Sequence, residues 1–283
     1  MIALIVALFA AVGGSSQPPA ELQTAASRVA LAAVTDPRNR PLVDVGADDF
    51  VIQEGGASRD VLSVRPADYP IVILIDTGDA ARSEFALIRK AVAQFIARVG
   101  QRPMIVGTYG NEPKMLTTFD DERQTMIERL EEVEAEAGAG SALLQAAALA
   151  GQTIRPTGAL FSAIVVVSAT PEDASRGQTD ELVAPVIDSG AALHVIANLP
   201  AQPASRDARP GPSLRALAQQ THGEYTAIYT AASYQAALDR LADRMNAEMM
   251  IEYLVPVGSK ASDVKVGTRI IGARVRGLGV APR

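Results

Sequence analysis

Cysteine is absent from the 283 residues, and histidine occurs only twice. The first absence excludes disulfides, thiolate zinc sites, a cysteine nucleophile and lipid attachment through a thiol. The second leaves few imidazoles for a histidine metal centre. Positive charge is short as well: 26 Lys and Arg against 32 Asp and Glu give a net charge of -6. At a pI near 5.1 no global cationic field is available to condense on a phosphate backbone, so nucleic acid is not an expected partner. What is plentiful is apolar. A 48% hydrophobic share, a 20% charged share and a mean hydropathy of +0.13 describe a chain that collapses around a core. Its length suits one main domain plus an accessory piece.

Residues 1–12 are uniformly apolar and break into Gly13-Gly14-Ser15-Ser16-Gln17-Pro18-Pro19. That run falls short of the roughly 20 residues of a membrane-spanning helix, and the small residues after it suit a peptidase. Residues 1–17 are therefore expected to be a signal peptide, which makes the protein exported, periplasmic or secreted, with no membrane span in the mature chain. No Lys or Arg precedes the run, and a retained anchor or a buried N-terminal helix is the competing reading.

Between residues 28 and 65, short apolar stretches such as Val29-Ala30-Leu31-Ala32-Ala33-Val34 and Phe50-Val51-Ile52 alternate with turn signals at Asp36-Pro37-Arg38-Asn39 and Glu54-Gly55-Gly56. They predict a small strand module over residues 27–68. From residue 69 the pattern changes. Ile71-Val72-Ile73-Leu74-Ile75, Ile164-Val165-Val166-Val167 and Leu193-His194-Val195-Ile196 do not alternate, so both faces of these strands must be covered. Between them Phe85, Ile88, Val92, Phe95, Ile96 and Val99 recur at helical spacing, as do Ile127, Leu130 and Val133, and later Tyr234, Leu238, Leu241 and Met245. Over residues 69–247 this predicts an α/β fold: a doubly wound, mostly parallel sheet with helices on both sides. The alternating stretches within residues 248–283 are expected to pair with the N-terminal strands in one small accessory β-sheet, since a lone hairpin is only marginally stable.

In such a sheet ligands collect beyond the carboxyl ends of the strands, here at the loops 76–82, 138–142, 168–177 and 198–213. Asp76-Thr77-Gly78-Asp79-Ala80, the Gly138-Ala139-Gly140-Ser141-Ala142-Leu143 segment and Val165-Val166-Val167-Ser168 resemble, in order and spacing, a von Willebrand factor type A domain. Asp48-Asp49-Phe50-Val51-Ile52-Gln53-Glu54-Gly55-Gly56 and Leu217-Ala218-Gln219-Gln220-Thr221-His222-Gly223-Glu224-Tyr225 resemble the flanks of a bacterial exported subgroup of it. The resemblance implies a ligand-binding domain with a metal-ion-dependent adhesion site of the form Asp-x-Ser-x-Ser, with a Thr and an Asp on two further loops. This chain departs from that pattern. Asp76 and Ser141 keep an oxygen, whereas Gly78, Ala80 and Ala169 stand where three other ligands belong. Magnesium wants six well-placed oxygens, so the expectation is a vestigial site without metal or other cofactor.

The function expected is a non-enzymatic interaction module that binds a protein through Thr77, Gly78, Asp79, Arg82, Gly140, Ser141, Thr170, Glu172 and Asp173. A second reading keeps magnesium or calcium, with Asp79, Glu172 or Asp173 swinging in to replace the lost ligands. A third takes Asp76 and Asp79 for the aspartate pair of a haloacid dehalogenase-like phosphatase, although that pair sits two residues apart and here the gap is three. Neither a Gly-x-Ser-x-Gly elbow nor a complete nucleotide fingerprint is present, and His194 and His222 have no nucleophile beside them in sequence.

Overall fold

A computed structural model of the protein describes residues 25–199 and 212–282. The expected signal peptide and most of the 198–213 loop lie outside the described residues. In chain order the strands are β1 (Ala25–Thr35), β2 (Phe50–Glu54), β3 (Ala57–Arg59), β4 (Val61–Pro66), β5 (Ile71–Asp76), β6 (Met104–Tyr109), β7 (Pro113–Met115), β8 (Ala163–Ser168), β9 (Ala192–Asn198), β10 (Glu224–Ile228), β11 (Glu248–Pro256), β12 (Val264–Thr268) and β13 (Arg274–Pro282). The α-helices are α1 (Phe85–Arg98), α2 (Arg123–Glu131), α3 (Leu143–Ile154), α4 (Thr179–Asp188), α5 (Pro212–Gln220) and α6 (Ser233–Asn246).

The main sheet has the order β10-β9-β8-β5-β6-β7, parallel except for β7. The aliphatic runs feed two cores at once. Ile71, Ile73 and Ile75 of β5 pack with Phe85, Ile88, Phe95, Tyr234 and Leu238 of α1 and α6. Val72 and Leu74 pack with Leu143, Ala147 and Ile154 of α3 on the other face. Each buried Ile, Val, Leu or Phe side chain among them contributes roughly 1.5–3 kcal/mol, which only a strand covered on both sides can collect at every position. Three strands of the main sheet, β6, β7 and β10, were not foreseen, and β7 is only three residues long. β6 carries Gly107 and Thr108 inside its apolar run, and β10 is a half-exposed edge strand of mixed polarity, so neither prints a continuous hydrophobic signal.

The accessory region corrects the expectation of a single sheet: two sheets form, and each takes strands from both chain ends. One has the order β13-β1-β11-β4, the other β12-β2-β3. β1 is a middle layer. Val29 and Leu31 join the core of the main domain with Met250, while Ala30, Ala32 and Val34 face Phe50, Ile52, Ile251 and Tyr253 between the two accessory sheets. Burial on both faces explains why this antiparallel strand reads as an unbroken apolar run. Two buried ion clusters clamp the layers. The Arg28 guanidinium binds the Glu54 carboxylate across the two accessory sheets. At the junction with the main domain, Glu248 accepts from the Tyr69 hydroxyl, and the Arg102 guanidinium stacks 4.2 Å from the Tyr69 ring centroid and donates to the Met245 carbonyl at 2.6 Å.

Candidate functional site

Asp76 ends the central strand β5, and its side chain is wholly buried. Every neighbour of its carboxylate is a donor. Oδ1 accepts from the Gly78 backbone N–H at 2.8 Å, and Oδ2 accepts from the Ala169 N–H at 3.1 Å. The Ser141 hydroxyl sits 2.8 Å from Oδ1 and 2.9 Å from Oδ2. The Ser168 hydroxyl lies 3.2 Å from Oδ2 and also reaches the Thr170 carbonyl at 2.7 Å. Burial pushes the Asp76 carboxyl above the ordinary carboxylate range, opposed by the hydrogen bonds from Gly78, Ser141, Ala169 and Ser168.

The three loops are joined around this residue. Asp79 N–H donates to the Ala139 carbonyl at 2.9 Å, and Asp79 Oδ1 accepts from Gly138 N–H at 3.0 Å. That second bond, with Arg82 adding to it, holds the exposed Asp79 carboxyl below its usual range. Gly140 N–H donates to Asn111 Oδ1, and Ala174 N–H donates to the Ser141 carbonyl. Packing at Gly78 leaves no room for a side chain: a Cβ there would lie 2.8 Å from both the Gly140 carbonyl oxygen and Ser141 Oγ.

Of the residues expected on the binding face, Asp79, Arg82, Glu172 and Asp173 are exposed, and Gly140 and Thr170 are half-buried. Thr77, Gly78 and Ser141 are corrections, because all three are buried. Thr77 is locked between the end of β6 and the segment that links α2 to α3, its N–H on the Tyr109 carbonyl and its carbonyl on Glu136 N–H. The first turn of α3 is not a free anion site either. Asp173 Oδ1 accepts from Leu144 N–H and Ser175 Oγ from Gln145 N–H, so a neighbouring loop already caps that helix.

Ser168 is the residue the sequence reading missed. A signal for it existed, since parallel pairing of Ile75 with Val167 places the next residues, Asp76 and Ser168, side by side. The two histidines take no part. His194 is buried near the start of β9, where its Nδ1 lies 3.0 Å from Arg244, and burial with the Arg244 charge lowers its pKa to about 3. Asp79 does not join Asp76 as a reactive pair, because its carboxylate is turned to Gly138 and Arg82. No group of three or more His, Cys, Asp or Glu among the described residues could hold a metal ion.

The fold is that of a von Willebrand factor type A domain. A von Willebrand factor type A protein from Catenulispora acidiphila superposes with a TM-score of 0.56 at 11% identity, over 90% of this chain and 73% of that one. That share is more than the doubly wound domain alone occupies, so the likeness extends into the accessory strands. Proximal thread matrix protein 1 from the mussel byssus superposes at 0.50 with 8% identity, over 64% of this chain and 49% of that one, and a second structure of it is described as having a zinc-occupied MIDAS motif. No protein-family model matches the chain, and no curated protein matches it. No helix among the described residues is long and apolar enough to cross a membrane.

Proposed function

We propose that this protein is an exported, non-enzymatic interaction module that binds a protein partner at the carboxyl ends of its parallel strands without a divalent cation. The observation that carries this reading is the saturation of Asp76: both of its carboxylate oxygens already accept hydrogen bonds, two of them from backbone N–H groups, and only the Ser141 and Ser168 hydroxyls beside it carry an oxygen that a cation could use. Backbone N–H groups of Gly78 and Ala169 point at it, and an N–H cannot coordinate a metal. Ala80 offers no side-chain oxygen, and Gly78 has no space to be replaced by a residue with one. The residues present therefore do not fit magnesium or calcium, and the buried Asp76 carboxylate serves as the staple that joins three loops. The Ser141 hydroxyl does lie against the Asp76 carboxylate, but both residues are buried and the carboxylate also accepts from the Gly78 and Ala169 N–H groups, so the pair is read as a structural contact rather than as a nucleophile with its base.

Partner contact is left to the exposed rim, with Asp79, Arg82 and Glu172 as its charged groups. Export rests on the apolar start of the chain. Crosslinking in the exported compartment should capture a partner that survives chelator and is lost in the double variant Arg82→Glu, Glu172→Lys. Loss of capture on adding chelator, or a stoichiometric magnesium or calcium isotherm abolished by Asp76→Ala, would overturn the cation-free reading.

A further inference from the structure

A second concavity lies at the opposite end of the main sheet from Asp76, where the amino-terminal ends of β8 and β9 meet strand β13 of the accessory sheet. Its volume is about 600 Å³, within the range of small-molecule sites. Its lining combines apolar and polar groups in an uneven balance. Leu160, Phe161 and Leu278 supply an apolar wall. Both acids on the lining are already answered: Glu224 by Arg244, and Glu248 by the Tyr69 hydroxyl and Arg102. Arg276, also on the lining, has no ion-pair or side-chain hydrogen-bond partner among the described residues. Ser162 lines the cleft too, and its Oγ, in a residue only 4% exposed, has no hydrogen-bond partner. A buried hydroxyl left open costs about 1–3 kcal/mol, which a ligand oxygen would recover.

The backbone is shaped for access at the same place. β13 skips a residue against β1, with Leu31 opposite Gly279 and Ala32 opposite Gly277, so Leu278 bulges from the ladder. Bulges of this kind re-aim side chains beside binding sites. A Cβ at Gly279 would make van der Waals contact with Phe161 Cε1 at 3.6 Å, and as glycine it leaves that ring atom uncovered from this side.

We propose that this cleft binds a small amphipathic anion, a carboxylate or sulfonate on an apolar body, with its charge on Arg276, a second polar atom on Ser162 Oγ and its apolar part against Phe161 and Leu278. The proposal is independent of the Asp76 crevice and of any protein partner. The test is calorimetric titration of the folded chain with anilinonaphthalene sulfonate, beside the uncharged phenylnaphthylamine. One saturable site is expected for the sulfonate, weakened about tenfold or more by Arg276→Ala, largely kept by Arg276→Lys and blocked by Gly279→Leu, with weaker binding of the uncharged probe. Arg276 is exposed, so its alanine variant should keep the wild-type unfolding midpoint. No saturable binding, binding unchanged in Arg276→Ala, or equal affinity for the uncharged probe would overturn it.

Discussion

The Ser141 hydroxyl lies 2.8 Å and 2.9 Å from the two carboxylate oxygens of Asp76, so two residues 65 positions apart close directly on each other. Replacing Asp76 by Asn keeps the shape but turns an NH2 group toward donors. The Gly78 and Ala169 N–H groups and the two hydroxyls cannot all be satisfied, and Asp76→Asn should lose about 2–3 kcal/mol in urea denaturation. Millimolar magnesium, manganese or calcium should leave the wild-type midpoint where it was. A metal-induced rise that disappears in the Asn variant would contradict both statements.

Gly78 marks whether the adhesion pattern can be rebuilt. A serine there brings its Cβ within 2.8 Å of the Gly140 carbonyl, which is backbone and cannot swing away. Gly78→Ser is expected to destabilise by about 1–3 kcal/mol rather than to recruit a cation. Thermal unfolding with and without magnesium reads both effects at once.

Glu248 is the hinge of the seam between the main domain and the accessory sheets. Glu248→Leu strands the Arg102 guanidinium, whose side chain is only 2% exposed, and should cost about 3–5 kcal/mol. Adding Arg102→Met removes the stranded charge, and the double variant should recover much of that loss. A double variant no more stable than Glu248→Leu alone would show that the pair is not what holds the layers.

His194 provides a pH signature of known sign. Its folded pKa of about 3 lies below its ordinary 6.5, because burial and the Arg244 and Arg276 charges disfavour the imidazolium. The unfolded chain therefore binds the proton first. The contribution is complete above pH 6.5 and falls as pH drops toward 3, by up to about 1.4 kcal/mol per pH unit. Asp76 and Glu248 titrate with the opposite sign. Burial raises both, so their contributions are full below about pH 4 and decline as pH rises through the raised values. The comparison that isolates the histidine is wild type against His194→Leu, by urea denaturation between pH 6.5 and 4.5. The wild type should lose more stability over that interval, and equal slopes would contradict the assignment.

Much of the architecture could be read from residue pattern. Ile71-Val72-Ile73-Leu74-Ile75 demanded cover on both faces, and the stripes of α1 and α6 matched one of them. Asp76 at the strand end marked the crevice. β6 and β10 were harder, because glycine, threonine and half-exposed polar residues interrupt their hydrophobic signal.

The chain by itself determined where the strongly patterned strands and helices lie, since local spacing decides which side chains can share one apolar face. It also determined that Gly78, Ala80 and Ala169 would bring no side-chain oxygen to the crevice, because that depends on residue identity alone. Only the tertiary structure decided that Thr77 and Ser141 are buried, that Ser168 reaches Asp76, and that Asp173 and Ser175 cap α3 from another loop. It also split the accessory strands into two sheets with β1 between two cores. Those outcomes depend on contacts between residues tens to hundreds of positions apart, and no local period records which distant donor will arrive at a given acceptor.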